Sequence, residues 1–196
     1  MSPAALSQVL VLGVPVFAST NIDDILLLAM FFASGRGSAR AIVGGQLLGI
    51  GALVAASAAA AALSLAMPLG WTGLLGLLPL GLGVRALIER SRGGDEEDGP
   101  PEAPAALSAL VVAAVTVANG GDNLGVYIPL FARDTALVPA YTLLFGALTL
   151  LWCGLGYWSV SHPALGERLR RGGEALLAWV LCGLGVYLLS GLRALA

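Results

Sequence analysis

Residues 18–24 read ASTNIDD, and they place two adjacent carboxylates, Asp23 and Asp24, inside an apolar run that extends from Leu6 to Phe32. A helix over that run is long enough to cross ~30 Å of hydrocarbon, and both carboxylates lie far from its ends. An acidic side chain near the centre of a membrane helix costs about 2.5 to 3.5 kcal/mol, so such residues usually face a protein interior or a water-filled ion pathway. We therefore interpret this stretch as part of a functional site within the membrane.

A second acidic stretch lies in another apolar run, Leu107 to Phe131. Residues 119–123 read NGGDN, and Asp122 is the only charged residue of that run. The two stretches together supply three carboxylates within predicted membrane segments.

The composition indicates an integral membrane protein. Charged residues make up 11% of the chain and hydrophobic residues 58%, whereas a soluble domain is about 25% charged. The 196 residues suffice for about six spans of ~20 residues with short connections. The apolar runs are continuous rather than alternating, which favours helices over barrel strands. We predict an all-α, polytopic membrane protein with six transmembrane helices, Leu6–Phe32, Ala41–Met67, Trp71–Ile88, Leu107–Phe131, Ala136–Val160 and Ala175–Leu192.

An acidic stretch rich in Gly and Pro, residues 91–104, divides the chain nearly in half. Its composition is typical of a solvated linker. The sequence therefore predicts a first three-helix repeat over residues 1–90 and a second over residues 105–196.

The two halves share short motifs at a similar spacing. GLGV occurs at residues 81–84 and again at 183–186, and Asp122 follows Asp23 by 99 residues. Because each half contains an odd number of spans, the two copies would enter the membrane from opposite sides, as in the inverted repeats of many secondary transporters. The site would then lie between the halves.

Arginine placement predicts the orientation. The connections after the first, third and fifth segments carry seven arginines, whereas the opposite side has only Arg133 and Arg193. By the positive-inside rule the first set is cytoplasmic, so both termini are predicted to be extracytoplasmic. The seven are Arg36, Arg40, Arg90, Arg92, Arg168, Arg170 and Arg171.

The polar residues of both stretches have the spacing of a shared helix face. Residues three or four apart lie on one face, so in a regular helix Asp24 shares a face with Thr20 and Asn21, while Asp23 points about 100° away. Prolines and glycines in the same segments favour local unwinding, which would free backbone carbonyls as further ligands. The predicted cation site comprises Thr20, Asn21, Asp23, Asp24, Asn119, Asp122 and Asn123.

The ligands of this predicted site are hard oxygens, which suit Mg²⁺, Mn²⁺ or Ca²⁺ better than thiophilic metals. A transporter must also release its ion, so weak binding by oxygen does not argue against a softer metal.

Desolvation and mutual repulsion disfavour three bare carboxylates, so the empty site is expected to take up protons that a divalent ion displaces. The hypothesis is metal/proton exchange. Alternatively, an intramembrane Asp caps a broken helix, and this alternative stays open above all for Asp23.

The two acidic motifs resemble those of the cadmium-resistance transporter family, the CadD-like branch of the lysine-exporter superfamily. The matching stretches are ASTNIDDILLL at residues 18–28, TVANGGDNLGVYIPLF at 116–131 and GLLPLGLGV at 76–84. The resemblance implies a multi-pass inner (plasma) membrane exporter of divalent heavy-metal cations, Cd²⁺ first and Zn²⁺ or Mn²⁺ as alternatives. It points to the three aspartates and to Asn21, Asn119 and Asn123 as the site.

Amino-acid export and intramembrane proteolysis are the two alternatives to cation export. Amino-acid export is disfavoured because the substrate's own carboxylate would meet an acidic midplane. An intramembrane aspartyl protease would need two aspartates sharing a proton, and the flanking asparagines look like ligands instead. We expect no enzyme activity, no resident cofactor and no nucleic-acid partner. The expected partners are the divalent cation, protons and membrane lipid, and a homo-oligomer is left open.

Overall fold

The computed structural model describes residues 2–64, 77–91, 106–162, 179–187 and 189–190. These residues form helices and connections, without strands. The linker predicted over 91–104 lies outside the described residues except for Ser91, and so do Arg92, Arg168, Arg170, Arg171, Arg193 and parts of the third and sixth predicted segments.

Seven helices have defined bounds in the described part of the chain. They are α1 Pro3–Thr20, α2 Asp24–Ala33, α3 Ala39–Ser64, α4 Leu77–Ser91, α5 Ala109–Asn119, α6 Gly121–Arg133 and α7 Val138–Ser159. A 3₁₀ turn, Thr135–Leu137, precedes α7, and residues 179–187 are also helical. Three stretches, Pro3–Thr20, Ala39–Leu63 and Thr135–Ser159, are long and apolar enough to cross a membrane, and α5 with α6 forms a fourth if the bent pair is one span. The described part of the chain is thus all-helical, with three to four candidate spans.

The first predicted span is interrupted at its acidic stretch. Helix α1 ends at Thr20 and α2 begins at Asp24. The hydroxyls of Ser19 and Thr20 both donate to the carbonyl of Val16, at 2.9 and 3.0 Å, and the Asn21 amide donates to Phe17 O at 2.8 Å. Such side chain to backbone bonds offer the backbone an alternative to the continuing helix. The predicted local unwinding is therefore present in this segment.

The fourth predicted span is broken at the matching place. Gly120 separates α5 from α6, its N–H donates to Val117 O at 3.2 Å, and the two helix axes are bent by 72°. A side chain on Gly120 would collide with Leu53. The glycine thus permits the close approach of α3.

Helix α3 packs along α5 at unusually short range. A Cβ on Gly45 would lie 2.5 Å from the carbonyl oxygen of Ala109 and 2.5 Å from Cβ of Val112. A Cβ on Gly49 would lie 2.5 Å from Cβ of Thr116. Small residues of this kind let membrane helices approach backbone to backbone.

This contact predicts a position-specific effect of adding one methyl group. Gly45→Ala must push α5 away, and overpacking of this kind costs typically about 1–3 kcal/mol. At the neighbouring Gly44 a Cβ meets nothing within 4 Å, so Gly44→Ala is the matched control. Thermal unfolding of the detergent-solubilised proteins should show a lower midpoint for the first variant alone. Equal midpoints would contradict the close packing.

Aromatic side chains fill the space between α1, α6 and α7. Phe17 lies 5.4 Å from Phe145 and 5.4 Å, edge-on, from Trp152, and Tyr127 lies 4.7 Å from Phe145, all between ring centroids. These rings are buried. They form the packed layer on which the polar residues of the two breaks rest.

Candidate metal centre between the two broken helices

The two carboxylates of the first break are bound by an amide of the second. Nδ2 of Asn119 donates to Asp23 Oδ2 at 2.9 Å and to Asp24 Oδ1 at 3.2 Å. Nε2 of Gln46 donates to the other Asp24 oxygen, Oδ2, at 2.7 Å. Asp24 is only 4% exposed. Its buried carboxylate is therefore held by an amide N–H on each oxygen, as a buried charge requires.

A further hydrogen bond extends this chain to α5. Thr116 Oγ1 lies 2.7 Å from Gln46 Oε1 and 3.0 Å from the carbonyl oxygen of Val112. Gln46 and Thr116 are both 3% exposed. The acidic end of α2 is thus connected through α3 to the helix that carries Asn119.

A second polar cluster lies beside the first. Nδ2 of Asn21 is 3.3 Å from Asn123 Oδ1 and 3.1 Å from the Tyr127 hydroxyl, and Nδ2 of Asn123 is 3.4 Å from Asn21 Oδ1. Thr20 Oγ1 accepts from Asn21 Nδ2 at 2.9 Å. The two asparagines therefore face each other across the two breaks.

Three backbone carbonyls at the breaks already accept hydrogen bonds within the protein. Trp152 Nε1 donates to Asn21 O at 2.7 Å, Asp23 O accepts from Leu26 N at 3.0 Å, and Gly120 O accepts from Leu124 N at 3.2 Å. The expectation that unwinding frees these carbonyls as ligands is not met at these three positions. Side-chain oxygens are the better candidates.

Asp122 occupies the first turn of α6. Its Oδ1 accepts the backbone N–H of Asn123 at 2.8 Å. It lies close enough to Asp23 and to Asp24 to interact with both electrostatically. Asp24 likewise lies in the first turn of α2. Both carboxylates therefore sit at helix N-termini, where the helix dipole stabilises negative charge.

The described residues contain no group of three or more His, Cys, Asp and Glu side chains placed to hold a metal ion. In this arrangement the carboxylates of Asp23 and Asp24 are engaged by amide donors and that of Asp122 by a backbone N–H. The acidic residues are assembled around one region, but they do not form a closed cage.

The structure brings most of the predicted residues together in two clusters, with one difference in orientation. The regular-helix interpretation has Asp23 pointing away from Asp24, yet both accept from Asn119 Nδ2. The reason is the break: the chain turns between Thr20 and Asp24, so the 100° spacing of a helix does not apply there. The first cluster holds Asp23, Asp24 and Asn119, and the second holds Thr20, Asn21 and Asn123.

Sequence reasoning missed four residues that complete these clusters. Gln46 and Thr116 carry a signal that could have found them, since both are polar side chains within apolar runs. Tyr127 and Trp152 carry no such signal, because interior aromatic residues are common in any packed core. Their polar atoms acquire a role only through the fold.

A comparison with protein-family models matched residues 17–195 to the family described as cadmium resistance transporter. The chain belongs to this family. The match includes both acidic stretches and the helices that carry their partners. No curated protein and no solved structure matched the chain. Membership in the cadmium resistance transporter family, together with the apolar helices, identifies a membrane transporter and confirms the resemblance drawn from the motifs.

Proposed function

We propose that this member of the cadmium resistance transporter family exports divalent cations, Cd²⁺ among them, at the site built by Asp23, Asp24 and Asp122. The observation that carries the proposal is the Asn119 amide, which bridges Asp23 and Asp24 at 2.9 and 3.2 Å. Two buried or half-buried carboxylates beside one another repel unless positive charge lies between them. A divalent cation would supply that charge, and the amide N–H group is its neutral substitute in the ion-free site.

The site residues would act in two groups. Asp23 and Asp24 provide the charged oxygens, and Asp122 approaches as the cation draws the two breaks together. The amide oxygens of Asn21, Asn119 and Asn123 and the Thr20 hydroxyl complete a shell of hard oxygen ligands. Such a shell binds divalent ions without the tight hold of a thiolate cage, which favours release.

We infer that the cation exchanges with protons. A site with three carboxylates and no cation would carry charge −3 in an apolar surrounding, which favours proton uptake. Cation entry would then expel protons, and proton entry from the other side would expel the cation. The proton gradient across a plasma membrane would thereby drive export.

The proposal includes two inverted halves, residues 1–90 and 105–196. Support comes from pairs of equivalent contacts, in which a residue of each half takes the place of its counterpart in the other half. Gly45 of α3 packs against Val112 of α5, and Gly13 of α1 packs against Leu144 of α7. Leu144 follows Gly45 by 99 residues, and Val112 follows Gly13 by 99 residues.

The same exchange relates the two breaks. Leu53 packs against Gly120 at the second break, and Trp152 donates to Asn21 O at the first. Trp152 follows Leu53, and Gly120 follows Asn21, by the same 99 residues. Each half would therefore cover the broken helix of the other half, which supports a cation site between the two halves.

Opposite entry of the halves into the membrane has support of its own. The N–H of Leu107, just before α5, donates to the carbonyl of Arg36, just after α2, at 3.1 Å. The end of the first predicted span is thus beside the start of the fourth. With the arginine asymmetry, this supports cytoplasmic placement of that side and extracytoplasmic termini.

Transport by inside-out membrane vesicles tests the function directly. With an acidic lumen, protons leaving the vesicle should drive ¹⁰⁹Cd²⁺ inward, and dissipating the gradient with an ionophore should abolish the accumulation. Vesicles without the protein are the control. Cadmium flux that neither responds to nor consumes the gradient would contradict exchange, and export of amino acids without metal flux would contradict the cation site.

A further inference from the structure

Gln46 donates a hydrogen bond to a carboxylate oxygen of Asp24 that an incoming cation would need as a ligand. The residue lies within α3, is 3% exposed, and its Nε2 is 2.7 Å from Asp24 Oδ2. A hydrogen-bond donor on that oxygen excludes a cation from the same lone pairs. A cation that uses these lone pairs of Asp24 therefore requires the Gln46 amide to respond.

Thr116 allows the amide to respond without losing a hydrogen bond. Its Oγ1 is 2.7 Å from Gln46 Oε1 and 3.0 Å from the carbonyl oxygen of Val112. A hydroxyl has one proton to donate and lone pairs to accept. When Thr116 donates to Val112 O, its oxygen can accept from the Gln46 NH₂ group. Both orientations of the amide are thus satisfied at Thr116.

The packing of α3 on α5 keeps these groups within reach. Gly49, three residues after Gln46, lies so close to Thr116 that a Cβ there would be 2.5 Å from the threonine Cβ. The oxygen and nitrogen of an amide lie on opposite sides of the same bond axis, so a half turn about that bond exchanges acceptor and donor without moving the backbone.

We propose that Gln46 is a cation-responsive ligand, an inference that rests on the proposed transport function. Without a cation, Nε2 donates to Asp24 and Oε1 accepts from Thr116. With a divalent ion at Asp24, the amide turns by half a revolution, so that Oε1 joins Asp24 as a ligand and Nε2 donates to Thr116. The turn replaces an N–H group that would repel the ion with an oxygen that binds it.

Two apolar variants of similar size test whether the side chain at position 46 touches the ion. Gln46→Leu and Gln46→Met both remove the amide, but only methionine retains a donor atom, a thioether sulfur that prefers soft metals. In vesicles, both variants should transport Mn²⁺ roughly 10–100-fold more slowly than the wild type. Gln46→Met should retain Cd²⁺ transport. The ratio of its Cd²⁺ transport rate to its Mn²⁺ transport rate should therefore exceed that of Gln46→Leu severalfold.

Equal ratios in the two variants, with active wild type, would overturn the ligand role and leave the transport function intact. Absence of metal flux in the wild type would instead refute the proposed function.

If the apolar variants do not accumulate in the membrane, Gln46→Glu tests the ligand role instead. A glutamate side chain offers the cation an oxygen in both orientations. We expect a lower KM for the metal together with a lower maximal rate, as release slows. A raised KM would overturn the inference.

Discussion

Asp24→Asn is expected to abolish cadmium resistance and vesicle transport while the protein still folds. The wild-type carboxylate accepts an N–H group on each oxygen, from Gln46 at 2.7 Å and from Asn119 at 3.2 Å. Asparagine has one acceptor oxygen and one NH₂ group, so one of the two partners would face a donor. The Gln46 amide can turn round and accept, which preserves packing. The charge proposed to bind the cation is nevertheless gone.

The expected loss of transport is more than about 100-fold, since even partners outside the metal's own ligand shell typically account for 10- to 100-fold. Thr149→Val is the control for a change at a buried polar position, because Thr149 bonds only to Phe145 O of its own helix in the described structure. That variant should transport normally. Normal resistance in Asp24→Asn cells, at matched protein levels in the membrane, would remove Asp24 from the site.

Asp122→Asn is the second variant with a large expected effect. The carboxylate Oδ1 accepts the Asn123 N–H at 2.8 Å, and an asparagine oxygen can accept the same bond. The start of α6 should therefore form normally. What disappears is the negative charge within electrostatic range of Asp23, so we expect near-complete loss of Cd²⁺ transport.

Asp134→Asn offers a matched control for this variant. Asp134 Oδ1 also accepts a backbone N–H, that of Ala136 at 3.1 Å, but Asp134 lies beyond the end of α6. Loss of one carboxylate is thus compared at two positions with similar local bonding. Equal transport by the two variants, measured with ¹⁰⁹Cd²⁺ in vesicles, would show that Asp122 contributes no more than a helix cap.

The meeting of the two acidic stretches could be predicted from the sequence because an isolated carboxylate in an apolar helix requires a partner. Asn119 indeed reaches both Asp23 and Asp24. The interruption of the fourth predicted span at Gly120 was also foreseeable, since glycine weakens a helix. The break after Thr20 contains neither glycine nor proline, and Pro15 lies inside α1. Local composition therefore carried most of the information about where the site lies.

The individual hydrogen bonds of the site could not be predicted from the sequence, for a physical reason. Helical periodicity assigns faces only while the helix continues, and Asp23 lies where it stops. The contribution of Gln46 depends on the distance between α3 and α5, which is set by Gly45 and Gly49 at contacts remote in the chain. Trp152 reaches Asn21 across 131 residues, and no local pattern encodes such a contact.

The hydrogen bonds of Asp24 also bear on biogenesis. During synthesis this carboxylate emerges 22 residues ahead of Gln46 and 95 residues ahead of Asn119. The leading hairpin would then enter the translocon with its acidic residues before the later partner exists, at a cost of about 2.5 to 3.5 kcal/mol for each charge at the bilayer centre. Because Gln46 lies in the very next helix, it would provide a hydrogen-bond donor to Asp24 before the second half of the chain is synthesised.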